Sequence, residues 1–190
     1  MIKLFLTDID GVLTDGGYYV PSTYYPCLPR GQVEFEKSFY MRKFNTRDFV
    51  GLEMLHRAGV QVAALTGSSE PSQIQFDRAA PFMSVYSDVQ DKYAFIRSTF
   101  VEFRIHPFEW DEIAFIGDEI NDAKLLEYVG MAACPADAVD EIQTIIAGKQ
   151  DGYHLNTKGG ECCVREFVDI IRTYQDIPAT WGDWTARSTV

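Results

Sequence analysis

Along the chain, short apolar runs alternate with stretches in which apolar positions recur every three or four residues. Lys3–Thr7 is an apolar run closed by Asp8. Residues 45–58, NTRDFVGLEMLHRA, carry helical spacing, with Asn45 or Thr46 as the cap and Gly59 as the stop. Val60–Gly67 reads as a second buried strand ending in Thr-Gly. Ser69 then caps a helix over EPSQIQFDRAA, with Pro71 in its first turn. FMSVYS is a third strand, DKYAFIRSTFVEF an amphipathic helix, Glu112–Asp118 a fourth strand and NDAKLLEYV a helix. GMAAC is a fifth strand, DAVDEIQTIIAG a helix, and VREFVDIIRTYQ a last helix before a tail with two tryptophans.

This alternation predicts an α/β class: a Rossmann-like parallel sheet with helices on both faces. Residues 1–175 form one domain and 176–190 a tail. In such sheets ligands sit beyond the carboxyl ends of strands. Asp8, Thr66 and Asp118 end three of the runs, so all three are expected to face one crevice. Residues 17–44 break the alternation, being rich in aromatics and prolines, and VEFEKSFYMRKF partly alternates. An antiparallel β-hairpin flap with a long tip is expected there. The interval from Thr66 to Lys92 is filled by one helix and one strand, and the hairpin is too short for a domain with its own core. No large cap domain is predicted.

With 190 residues, 46% apolar and 24% charged, the chain is ordinary for a globular protein. Its net charge of −11 argues against nucleic acid, whose phosphates need a basic surface. A small phosphorylated substrate stays compatible, because a bound metal reverses the sign of a site locally. The first residues form neither a signal peptide nor a membrane span, and the four cysteines (Cys27, Cys134, Cys162, Cys163) make no CxxC pair. Reduced thiols, a cytoplasmic location and no zinc site are expected.

The candidate chemistry lies at the strand ends. Asp8 and Asp10 belong to DIDG, Thr66 and Gly67 follow the second run, Lys92 opens a helix, and Asp118 and Asp122 belong to GDEIND. Carboxylates converging from two loops make an oxygen-only cation site, which suits Mg²⁺. A hydroxyl, an unhindered N–H and a lysine are what phosphoryl oxygens need around them. Alone, a DxD is a common surface turn, a Thr-Gly a turn, a GDxxxD a helix cap and a lysine a solvated charge. The ordered set is far more specific than any member. Asp15 is assigned a turn or capping part only.

In that order the motifs resemble those of the haloacid dehalogenase superfamily of phosphatases and phosphotransferases. The resemblance implies Asp8 as nucleophile through an aspartyl-phosphate, Asp10 as general acid and then base, and Thr66, Gly67 and Lys92 around the phosphoryl group. It implies Mg²⁺ held by Asp8, the Asp10 carbonyl and Asp118, with Asp122 close behind and Asn121 in the same loop. DIDGVLTDG, the hairpin, KFNTRD and KGGECCVREFVDII are similar to the capless phosphatases of 3-deoxy-octulosonate 8-phosphate and of sialic-type 9-phosphates. That closer likeness implies a homotetramer in which a neighbouring subunit covers the site. It makes Arg47, Lys158 and Arg165 candidate contacts to a sugar-acid carboxylate. Ser68 stands where an arginine often follows Thr-Gly, and Cys162 where a glycine is usual; both bear on the choice of sugar. The alternatives are a phosphatase of another small sugar phosphate, or a non-catalytic oligomerisation module like that fused to sialic-acid activating enzymes.

Overall fold

The structure is a computed structural model that describes residues 1–17, 19, 42–69, 81–102 and 107–178. Six parallel strands form one sheet: β1 (Leu4–Asp8), β2 (Gln61–Leu65), β3 (Met83–Tyr86), β4 (Ile113–Ile116), β5 (Met131–Cys134) and β6 (Gly152–His154), in the order β3-β2-β1-β4-β5-β6. Five of these strands follow the apolar runs. The sixth, β6, has no periodic signature of its own and exists by pairing with β5.

The helices are α1 (Thr46–Arg57), α2 (Lys92–Ile96), α3 (Ala123–Tyr128), α4 (Asp140–Ala147) and α5 (Cys163–Tyr174). The amphipathic stretch from Lys92 stays α-helical only to Ile96 and then widens into π-type turns over Arg97–Glu102. The expected helix after Ser69, most of the hairpin and the tail beyond 178 lie outside the described residues. Where the base of the expected hairpin would lie, Thr14 and Phe44 form an antiparallel bridge. No helix among the described residues is long and apolar enough to cross a membrane.

Every residue of β1, β4 and β5 is buried, as a sheet covered on both faces requires. Along β1 the side chains alternate: Phe5 packs with the α1 and α5 side, where its ring lies 5.7 Å from Phe167, while Leu4 and Leu6 join the other core with Phe100, Phe115 and Leu125.

The helix ends explain two local features. Asn45 caps α1 by accepting the Arg47 N–H at 3.1 Å, and Gly59, at φ +91°, turns the chain out of the helix. At α5 the cap position is Cys162, left-handed at φ +81° and without a side-chain cap bond. Asp48 of α1 takes over that duty, its Oδ1 accepting the Arg165 N–H at 2.7 Å. Glu166 gathers the preceding loop, accepting from both the backbone and the side chains of Asn156 and Thr157.

Candidate active site

The strand order reverses direction at β1, whose neighbours β2 and β4 lead to opposite sides of the sheet. That is the place where a parallel sheet opens a crevice at its carboxyl edge. The register puts Asp8 opposite Leu65, one residue before Thr66, and Thr7 opposite Ile116, two residues before Asp118. The three expected strand-end residues therefore share one edge.

Beyond β1 the chain turns sharply through Ile9–Leu13, and the Thr14 N–H closes the turn on the Ile9 carbonyl at 2.9 Å. Gly11 is left-handed at φ +85°, and a Cβ there would overlap Asp118 Oδ2, so both conformation and space demand glycine. The turn is braced from the far end of the chain. The Gly160 N–H and the Cys163 thiol both reach the Val12 carbonyl, at 2.9 and 3.3 Å. A Cβ on Gly159 would overlap the Gly11 carbonyl, while its N–H is held by Asp137 Oδ1 at 3.0 Å.

Asp8, Asp118 and Asp122 each offer a carboxylate oxygen within 4.8 Å of the others. Lys92 Nζ lies 2.9 Å from Asp8 Oδ1 and 2.5 Å from Asp122 Oδ1, with its ammonium wholly buried. Asp8 Oδ1 also accepts the Ile9 N–H at 2.7 Å. Asp122 Oδ2 accepts the N–H groups of Asp118 and Glu119 at 3.1 and 3.4 Å. Asp118 Oδ1 is buried and has no hydrogen-bond partner among the described residues.

The electrostatics follow from that geometry. Burial first, and then the Asp122 charge, push the Asp8 carboxyl up to about 7 against the pull of Lys92. Burial together with Asp8 and Asp122 pushes Asp118 up to about 8. Burial depresses Lys92, but Asp8 and Asp122 outweigh it and leave the ammonium above its usual value. Three carboxylates face one ammonium, two negative charges out of balance. An orphaned buried oxygen and an all-carboxylate donor set fit a hard divalent cation.

On the open side, Thr66 Oγ1 lies 3.5 Å from Asp10 Oδ2 and accepts the Ser68 N–H at 3.0 Å, while the Gly67 carbonyl accepts from Gln90 at 2.9 Å. Arg42 Nη1 lies 2.9 Å from Asp10 Oδ1. The sequence reading passed over Arg42: one basic residue in an aromatic-rich insertion carries no signal. Asp15 does what was expected of it, accepting the Gly17 N–H at 3.1 Å in a turn.

Two of the remaining candidates lie along α5. Arg47 and Arg165 line a groove of about 910 Å³ along α5, beside Cys162 and Tyr153. Arg165 Nε is ion-paired with Asp169 at 2.9 Å. Lys158 is exposed. Cys134 and Cys163 are buried and Cys162 is half-buried, all three unpaired; burial and the Asp118 charge push Cys134 up to about 12.

No family model matches the chain. It is similar to the 3-deoxy-D-manno-octulosonate 8-phosphate phosphatase KdsC of Yersinia pestis, 28% identical over 177 residues, which cover 92% of this chain and 82% of that protein. It is also similar to N-acylneuraminate cytidylyltransferase B of Danio rerio, 26% identical over 172 residues, 90% of this chain but 36% of that protein. Among solved structures, the cobalt-bound deoxy-D-mannose-octulosonate 8-phosphate phosphatase of Haemophilus influenzae matches with a TM-score of 0.67 and 26% identity, over 92% of this chain and 90% of that one. In strand order, carboxylate cluster and buried lysine, as in these likenesses, the chain is similar to phosphatases of the haloacid dehalogenase superfamily.

Proposed function

We propose that this chain is a Mg²⁺-dependent phosphomonoesterase that hydrolyses a phosphorylated sugar acid, of the octulosonate 8-phosphate or nonulosonate 9-phosphate type. The observation that carries this reading is the convergence of Asp8, Asp118, Asp122 and Lys92 at the carboxyl ends of β1 and β4. Both described contacts of Asp8 fall on Oδ1, which leaves Oδ2 to attack phosphorus. As the Asp8–phosphorus bond forms, the ester P–O bond breaks and Asp10 protonates the departing oxygen. Asp10 then takes a proton from the water that attacks the aspartyl-phosphate, releasing phosphate and restoring Asp8. Thr66, the Gly67 N–H and Lys92 hold the phosphoryl oxygens throughout.

Asp8, the Asp10 carbonyl and Asp118 would hold the Mg²⁺. Asp122, with its oxygens on Lys92 and on two backbone amides, keeps Lys92 and the Asp118 loop in place. The ion would neutralise the carboxylates and the phosphoryl oxygens, so that an anionic nucleophile can meet an anionic substrate. The sugar-acid part of the reading is supported by the relatives named above. The Danio rerio relative, which this chain matches over 36% of its length, favours a module without turnover; the complete set of reacting residues favours an enzyme.

Phosphate release across a panel of sugar-acid phosphates and plain sugar phosphates, in Mg²⁺ and in EDTA, tests the proposal. Turnover should require the metal and favour 2-keto sugar acids. Equal rates on all substrates would refute the sugar-acid assignment, and silence across the whole panel would refute the enzyme.

A further inference from the structure

We infer that Arg42 is a positioning residue for Asp10, so that the segment leading into α1 takes part in the chemistry as well as in shape. The inference rests on the phosphatase reading above. Asp10 stands in the turn after β1 with its side chain 35% exposed, so little packing limits its rotamers. Two groups divide its carboxyl. Arg42 lies at 2.9 Å from Oδ1, and Oδ2 is turned toward Thr66 Oγ1 at 3.5 Å, on the side where the phosphoryl group is held. This ion pair, a charge contact in which Nη1 makes no hydrogen bond among the described residues, draws one oxygen aside and leaves the other aimed into the site.

Arg42 is itself placed for this. Its side chain is only 8% exposed, and two residues later Phe44 is bridged to Thr14, which closes the reactive turn. The adjacent Lys43 is half-exposed and reaches Glu161 at 3.9 Å. Neighbouring cations thus serve opposite sides, one inward and one outward. A guanidinium suits the inward task, since it stays charged at every working pH.

In the first step the proton passes from Asp10 Oδ2 to the ester oxygen as the ester P–O bond breaks and the Asp8–phosphorus bond forms. Without Arg42 the acid is present but poorly aimed, so the defect should grow with the leaving group's need for a proton. The test is kcat/KM for Arg42→Gln, Arg42→Lys and Asp10→Asn on octulosonate 8-phosphate and on p-nitrophenyl phosphate, whose phenolate leaves without protonation. Arg42→Gln should lower kcat/KM on the sugar-acid phosphate with KM little changed. It should shift the ratio between the two substrates by about tenfold or more, with Arg42→Lys recovering part. A cooperative thermal melt of each variant, with measurable p-nitrophenyl turnover, separates misaiming from misfolding. Equal losses on both substrates, no loss on either, or a rise in KM alone would overturn the positioning of Asp10 by Arg42 while leaving the phosphatase reading intact. If instead Asp10→Asn damages both substrates equally, the acid assignment falls, and the part given to Arg42 falls with it.

Discussion

Two aspartates of this protein are buried for different ends. Asp48 is fully buried between α1 and α5; one carboxylate oxygen accepts a helix N–H and the other has no hydrogen-bond partner among the described residues. Burial raises its carboxyl to about 6, with the Arg165 amide and charge opposing. Asp8 is almost as buried and rises to about 7, alongside Asp118 at about 8. At Asp48 the cost is relieved locally: a single carboxylate sits at a helix N-terminus, whose amides favour negative charge. At Asp8 the neighbours make the cost worse, because three carboxylates share one lysine. Burial alone therefore does not mark the reactive residue. What marks it is like charge crowded beyond what the protein's own groups can balance.

The largest expected contrast is in turnover. Asp8→Asn should lower kcat by at least about 10⁴-fold, since it removes the proposed nucleophile, whereas Asp48→Asn should leave turnover within about threefold. Steady-state phosphate release on both variants decides this, and comparable losses would erase the distinction.

A smaller effect is read in stability. The folded-state carboxyls of Asp8 and Asp118 lie above the ordinary 3.8, so the metal-free fold binds more protons than the unfolded chain. Its stability should fall as pH rises from about 4 toward 8. Mg²⁺ competes with those protons, so its stabilisation should grow with pH, reaching ~2.7 kcal/mol at a hundredfold excess over its Kd. Melting curves in EDTA and in Mg²⁺ at pH 6 and pH 8.5 check the sign; an equal metal effect at both would contradict it.

The smallest effect belongs to Asp48. Asp48→Ala removes the acceptor for the Arg165 N–H and should cost about 1 kcal/mol. Asp48→Asn keeps an acceptor and removes the charge. Relative to the parent, it should gain stability between pH 4 and pH 7, the window across which a carboxyl raised from 3.8 to about 6 becomes charged. Denaturant titrations at the two pH values measure that gain.

This pair also shows how far the chain could be read unaided. The strand-end aspartates were legible because the motif couples local spacing to a topological rule: apolar runs end at Asp8, Thr66 and Asp118, and parallel strands end on one edge. Asp48 was not, since in NTRDFV it looks like an ordinary first-turn acid of α1, and only packing against α5 reveals it as a cap. The three residues of β6 lack a period because their strand character comes from pairing with β5. Arg42 lies outside the strand-end set, and its meeting with Asp10 is a tertiary event.

The bonds from Gly160 and Cys163 to the Val12 carbonyl have a consequence for how the protein is made. The turn that carries Asp8 and Asp10 is fastened by a residue 151 positions further along the chain. During synthesis the reactive loop lacks its clamp until the segment around residues 159–163 has emerged and docked. A nascent chain would thus hold these carboxylates well before it could fix the turn that bears them.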